Sequence, residues 1–229
     1  MQHKLPWTIL LFTSFLIGCG AAVSQSLRYK HFTIQEGLPS QVVYEAFQDS
    51  QGFIWLATSR GVSRFDGYKF FNYTIDDGLA DNEIFGFYED VFHRIWFRSL
   101  NGKVSYFLHG RIYNSLNDPS LKKLDKISMI RHISGTSDSS VLITHFRHGI
   151  SKYTPEKKTI EYTFTPDSVL NIFIRAEEIP DKRYLIVGGN FLMTLKPETR
   201  SYKHTRLWLT MGRTPQAGAE YFICNFNFL

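Results

Sequence analysis

The pattern closest to a reactive centre in this chain is His145-x-x-His148, two imidazoles near enough in sequence to share a transition metal. In a strand, however, side chains three positions apart leave opposite faces of the sheet, and no cysteine or carboxylate stands beside the pair to complete a tetrahedral set. The acids Asp76, Asp77 and Asp81, with the related Glu36, could hold a cation or act as paired carboxylates on a glycoside. They fall in loops, where such acids ordinarily cap turns. Trp55 and Trp96 could stack a sugar or a base, but each sits inside an apolar β-rich run, which favours packing between layers. Arg64 and Asp66 could pair. Asp66 also precedes Gly67 in what reads as a two-residue hairpin turn, a structural duty. No Gly-x-Ser-x-Gly, phosphate-loop or dinucleotide fingerprint occurs. The sequence therefore offers no catalytic set, no metal site and no cofactor site.

The frame that positions these residues is a repeat. FTIQEGLPSQVVYEAFQDSQGFIWLATSRG, from Phe32 to Gly61, aligns without a gap on YTIDDGLADNEIFGFYEDVFHRIWFRSLNG, from Tyr73 to Gly102. Gly37 and Gly78, Asp49 and Asp90, Trp55 and Trp96, and Gly61 and Gly102 are each 41 residues apart. One inserted residue then shifts the copies, so that Phe65 answers to Phe107. Two weaker copies follow: Gly149 to Tyr153 repeats Gly61 to Phe65, and Pro155-Glu156 returns as Pro197-Glu198.

A period of about 40 to 45 residues is that of a four-stranded propeller blade. In the first copy, residues 42–47 and 53–58 are rich in β-branched and aromatic side chains, with Asp49 to Gly52 as the turn between them. Residues 62–65 and 68–73 supply a third and a fourth strand around Asp66-Gly67. A helical repeat of similar length would need apolar spacings of three and four, which the Gly and Asp punctuation breaks. The expected fold is all-β, a propeller of roughly 41-residue blades with about four present in an incomplete ring. The expected blades are approximately 31–72, 73–113, 114–164 and 165–206, with an atypical tail over 207–229. That tail matches no blade and reads as the end of a truncated or frame-shifted product.

The string EGLPSQVVYEAFQDSQGFIWLATSRGVSRFDGYKF resembles the repeat of two-component-regulator propellers, the periplasmic sensor domains of many histidine kinases and hybrid kinases of Bacteroidetes-type bacteria. The resemblance is carried by Gly37, Leu38, Asp49, Gly52, Ile54, Trp55, Thr58, Gly61, Val62 and Arg64 to Asp66, with Gly67 following. It is strong over residues 29–113 and degenerate over 114–206, where the third copy lacks the Trp. Arg98 and Leu100 in the second copy replace Ala57 and Ser59. The resemblance implies a ligand-sensing ectodomain, non-catalytic by itself, that passes its signal to a cytoplasmic kinase module. It suggests a small-molecule or carbohydrate ligand, with ligand-binding residues left unspecified. A lipid-anchored propeller scaffold and a propeller-based carbohydrate-active enzyme stand as alternatives.

The N-terminus reads as an export signal, with His3 and Lys4 ahead of an apolar stretch from Trp7 to Ile17. Ala22-Val23-Ser24 fits ordinary cleavage after residue 24, whereas Leu16-Ile17-Gly18-Cys19 resembles a lipobox that would end the signal at residue 18 and lipidate Cys19. Both imply a periplasmic or cell-envelope location. Membrane association would come through lipidated Cys19 or through a transmembrane segment, which this sequence does not display. Cys224 is the one other cysteine, so packing must hold the fold. The net charge of +5 is scattered in pairs such as Lys122-Lys123, which argues against a nucleic-acid partner.

Overall fold

The computed structural model describes residues 29–126, 128–164, 172–189, 191–198 and 201–206. The leader, Cys19, Cys224 and the tail from residue 207 lie outside the described residues. The strands belong to one compact unit beginning at Thr33.

Among the described residues, sixteen strands form four antiparallel meanders, each paired in chain order. The first sheet holds β1 (Val43–Gln48), β2 (Ile54–Thr58), β3 (Gly61–Phe65) and β4 (Phe70–Tyr73). The second holds β5 (Ile84–Glu89), β6 (Ile95–Ser99), β7 (Ser105–Leu108) and β8 (Arg111–Asn114). The third holds β9 (Ile130–Gly135), β10 (Val141–His145), β11 (Gly149–Thr154) and β12 (Thr159–Phe164). The fourth holds β13 (Phe173–Ile179), β14 (Arg183–Gly188), β15 (Phe191–Lys196) and β16 (Ser201–Arg206). The first strands of successive sheets, β1, β5, β9 and β13, approach one another and form the inner side of the arc. Among the described residues no comparable contact joins the first sheet to the fourth, so the four described blades form an open arc of a propeller.

At each of the three junctions the trailing face of one sheet packs on the leading face of the next. Trp55, Ala57 and Val62 trail on the first sheet and pack against Ile84, Phe87, Ile95, Phe97, Phe107 and Ile112, which lead on the second. Trp96, Val104 and Tyr106 meet Ile130, Ile133, Val141, Ile143 and Tyr153 in the same way. Leu142 and Ile150 meet Phe173, Ala176, Tyr184, Ile186 and Leu195 at the last junction. Both tryptophans are fully buried, and Trp55 meets the Phe107 ring at 4.9 Å as Trp96 meets Tyr153 at 5.7 Å. These aromatic contacts across junctions are the largest single contributions to burial.

Local chemistry fixes the lead-in to the first two sheets. Thr33 and Thr74 cap short 3-10 turns, Ile34–Glu36 and Ile75–Asp77, and their N–H groups donate to Glu36 Oε2 at 2.6 Å and Asp77 Oδ2 at 2.8 Å. Gly37 and Gly78 end those turns in the left-handed region, both with φ of 106°. Their carbonyls accept from Asn72 Nδ2 at 2.9 Å and Asn114 Nδ2 at 2.8 Å, which ties the outer strand of each sheet to its own lead-in. The β3–β4 hairpin differs by one residue from the turn expected at Asp66-Gly67. Gly67 and Tyr68 occupy its tip, Asp66 N–H bonds Lys69 O, and Gly67 has φ of 96°. A glycine at the first tip position suits the twist of the flanking strands, and this leaves the Asp66 carboxylate to accept from Tyr68 N–H and Lys69 N–H.

Candidate functional site

The inner strands share an irregularity that composition does not announce. In each sheet the pairing of the first strand with the second slips near its start: at Tyr44 in β1, at Phe85-Gly86 in β5, at Arg131 in β9 and at Ile174 in β13. A bulge re-aims the next side chain, and four bulges at equivalent places put Glu45, Gly86, His132 and Arg175 in line along the inner side of the arc.

A continuous polar seam results. Arg98, on β6, extends across the bulge of its own sheet, where Gly86 lacks a side chain; a Cβ there would overlap its guanidinium. Its Nη2 pairs with Glu45 Oε2 of the first sheet and donates to Phe85 O at 3.0 Å. Its Nη1 donates to Arg131 O of the third sheet at 3.1 Å. One guanidinium thus spans three sheets. Glu45 Oε1 also accepts from Phe87 N–H at 3.0 Å, a free edge donor of β5. Farther along, His132 Nε2 lies 3.6 Å from Glu177 Oε1, and Glu177 is held by Arg175 Nε at 2.7 Å. Burial pushes the His132 imidazole down to about 4, and the neighbouring Arg175 and Arg98 cations add to that shift against the opposing pull of Glu177. The ring is therefore neutral near pH 7. Tyr44 and Phe85 extend the seam with rings 4.8 Å apart, and Tyr44 remains exposed.

Forked donors, carboxylates, a neutral imidazole and an exposed aromatic face suit recognition of a polar ligand. Both carboxylates of the seam, Glu45 and Glu177, are occupied by guanidinium groups.

A second cluster has the residue types of a hydrolytic triad without its geometry. Ser50 Oγ and Glu89 Oε1 both approach the same nitrogen of His93, Nδ1, at 2.9 and 3.0 Å, and Ser50 Oγ bonds Glu89 directly at 2.5 Å. Proton transfer from a serine needs the two partners on opposite ring nitrogens. The cluster instead ties the first turn of one sheet to the first turn of the next.

The residues singled out from sequence lie elsewhere. Asp49 and Asp90 stand at the β1–β2 and β5–β6 turns and accept from the indoles of Trp55 at 2.7 Å and Trp96 at 2.8 Å. Gly61 and Gly102 lie where a Cβ would strike the neighbouring backbone at Tyr73 O and at Lys126 O and Ser128 O. His145 is fully buried in β10, with Nδ1 3.4 Å from Ser128 O, while His148 is exposed in the following turn. Asp76 is exposed, and Asp81 accepts from Glu83 N–H and Asn101 N–H. Among the described residues no group of three or more His, Cys, Asp or Glu could hold a metal ion. The seam residues Glu45, Arg98, His132, Arg175 and Glu177 were not singled out. The one sequence signal was Arg98 standing where the first copy has Ala57, opposite a glycine that replaces Glu45.

The fold defines the class as a β-propeller with meander blades. Residues 37–60 match the family model of the two component regulator propeller, so the chain carries that repeat as its motif indicates. No curated protein sequence matches the chain. Among solved structures it is similar to the extracellular domain described as that of a hybrid two component system from B. thetaiotaomicron, with TM-score 0.63 and 22% identity, covering 77% of this chain and 26% of that one. It is similar to a second B. thetaiotaomicron extracellular domain, described as from a one component system, with TM-score 0.59 and 16% identity over 79% and 28% of the two chains. Virginiamycin B lyase from Staphylococcus aureus, in a catalytically inactive form with quinupristin, follows at TM-score 0.57 and 19% identity over 74% and 58%. These likenesses show the fold. The chain spans about a quarter of the length of the two extracellular domains. Among the described residues no helix is long and apolar enough to cross a membrane.

Proposed function

We propose that the chain is the ligand-receiving propeller region of an exported two-component sensor and is not catalytic by itself. The observation that carries this reading is the match of residues 37–60 to the two component regulator propeller. The likeness to extracellular domains of B. thetaiotaomicron signalling systems supports it at the level of fold. In this reading the propeller covers residues 29–206 behind a cleaved leader, in the periplasm or cell envelope. Its output passes to a cytoplasmic kinase module supplied by a full-length relative.

The ligand, a small molecule or carbohydrate, docks along the inner seam. Arg98 and Glu177 supply hydrogen bonds and Tyr44 supplies a stacking face. Differential scanning fluorimetry against a panel of sugars and small acids tests this. A saturable rise in melting temperature that disappears in Arg98→Ala and Tyr44→Ala is expected. A ligand whose effect survives both substitutions would place the site elsewhere.

A further inference from the structure

The four bulges that align Glu45, Gly86, His132 and Arg175 also align the residue ahead of each: Tyr44, Phe85, Arg131 and Ile174 hold one equivalent place on the inner strands. This second row runs from two aromatic rings through a guanidinium to an aliphatic side chain. Tyr44 is 41% and Ile174 38% exposed, while Phe85 and Arg131 are half-buried. The Tyr44 hydroxyl donates to Glu83 Oε1 at 2.8 Å, which holds that ring beside Phe85.

Arg131 differs from the two other guanidinium groups of the seam. Arg98 is matched by Glu45 and Arg175 by Glu177, and His132, neutral near pH 7, adds no cation. Among the described residues no carboxylate lies within ion-pairing distance of Arg131, whose side chain has weak contacts only. Its Nη1 lies 3.9 Å from Met129 Sδ, its guanidinium carbon lies 5.9 Å from the centre of the Phe146 ring, and its Nε is buried without a hydrogen-bond partner. The nearest addition is a like charge, since Arg147 stands over the same ring at 5.5 Å. The Arg131 carbonyl accepts from Arg98 Nη1 at 3.1 Å, so the backbone that carries this cation is tied into the seam. A half-buried cation has given up part of its hydration, and without a counter-charge that loss is not returned. The folded chain therefore keeps one unneutralised cation next to two aromatic rings.

We propose, on the reading of the seam as the ligand-receiving surface, that its ligand carries a carboxylate, which Arg131 receives while the Phe85 and Tyr44 rings support the rest of the molecule. One negative charge complements one unmatched cation, and a planar carboxylate meets the planar guanidinium with two parallel hydrogen bonds. A phosphate dianion would bring a second charge toward Glu45 and Glu177, whose own cations are already engaged. Rings beside a guanidinium suit an acid that also offers a flat apolar face, as an acidic sugar or an aryl acid does.

Saturation-transfer difference NMR titrations separate those two sources. One arm pairs glucuronate with glucose and galacturonate with galactose; the other pairs phenylacetate with phenylacetamide. In at least one arm the acid is expected to saturate and to bind about tenfold or more tightly than its neutral partner, the worth of one charge-assisted contact. The arm that responds identifies the carboxylate as that of a sugar or of a simple acid. Arg131→Gln should abolish the preference, and Arg131→Lys should retain part of it, since the charge stays and the fork is lost. Without ligand, Arg131→Gln should melt no lower than the wild type by circular dichroism, because it removes a cation that nothing neutralises. A lower melting temperature would show that the fold itself satisfies Arg131 and overturns the proposal. Equal binding of an acid and its neutral partner, both lost in Tyr44→Ala, leaves the seam as the site and overturns the carboxylate. Acid binding that survives both Arg131→Gln and Tyr44→Ala overturns the seam reading as well. Tighter binding of glucose 6-phosphate than of every acid, or binding of no acid in either arm, also overturns the proposal.

Discussion

The Nε1–H of Trp55 donates to Asp49 Oδ2 at 2.7 Å, while the other carboxylate oxygen of Asp49 accepts from Gln51 N–H at 3.0 Å and Phe53 N–H at 2.9 Å. One side chain thus closes the β1–β2 turn and satisfies the indole that fills the junction with the second sheet. Asp90 and Trp96 repeat the pair at 2.8 Å. In the third sheet Thr136 closes the equivalent turn through Ser140 O and Leu142 takes the tryptophan position. The acceptor and the donor disappear together.

Asp49→Ala leaves the buried indole N–H and two turn N–H groups without an acceptor, so it should cost about 2 to 4 kcal/mol in equilibrium urea unfolding. Trp55→Phe in the Asp49→Ala background should then cost less than it does alone, because the indole N–H it removes has already lost its acceptor. Additive losses would mean that the two residues act independently.

Gly61→Ala and Gly67→Ala separate steric from conformational cost. Both glycines have positive φ, 116° and 96°, but only at Gly61 would a Cβ overlap backbone, at Tyr73 O; at Gly67 nothing lies within 4 Å. Gly67→Ala should cost about 1 kcal/mol of left-handed strain, and Gly61→Ala several times more. Chemical denaturation of the two variants checks the order.

Arg64 and Phe53 in the first sheet reappear transposed as Tyr106 and Arg94 in the second, with the guanidinium over the ring at 4.5 Å and 5.6 Å respectively. Phe53→Arg and Arg64→Tyr should each destabilise. The double variant should recover part of the loss, with a coupling of about 0.5 to 2 kcal/mol. Strict additivity in this double-mutant cycle would show that the transposition carries no energy.

Burial holds both His132 and His145 near 4, below the ordinary histidine value of 6.5, so the folded chain binds fewer protons than the unfolded chain between those values. The resulting stability is fully present above pH 6.5 and is lost as pH falls toward 4. Below that range, release of the Asp138 carboxylate from Lys152 and neighbouring hydroxyls adds a further loss, since those bonds outweigh its burial and hold it below the usual range. Urea unfolding between pH 7 and pH 4.5 should show a shallower decline in His145→Gln than in the wild type.

Gly86→Ala should expel the Arg98 guanidinium from its place between Glu45 and Phe85 O. Arg98→Ala would remove the same link without introducing a Cβ. Both should raise amide exchange in the first strands of the first three sheets, read by hydrogen-exchange mass spectrometry. Exchange unchanged there in both variants would mean that Arg98 does not hold the seam together.

The 41-residue register, the strand and turn sequence of the first two blades, and the apolar faces bearing Trp55 and Trp96 were legible because they rest on local rules. A β-branched run, an Asp-capped turn and a left-handed glycine each declare themselves within a few residues. The capping role of Glu36 and Asp77 was legible as turn duty for the same reason. The third and fourth blades were fainter because Leu142 and Leu185 replace the aromatic that marks the strand.

The sequence by itself determined that four meanders would form and in what order. Only the tertiary structure decided that Arg98, which looks like a blemish in the second repeat, passes over Gly86 to join Glu45 and the backbone of a third sheet. Likewise, only the packed arc could show that Val43 and Ile54 are exposed while their repeats Ile84 and Ile95 are buried. Periodicity specifies which residues share a face, whereas burial and ion pairing across sheets depend on which neighbour arrives at that face.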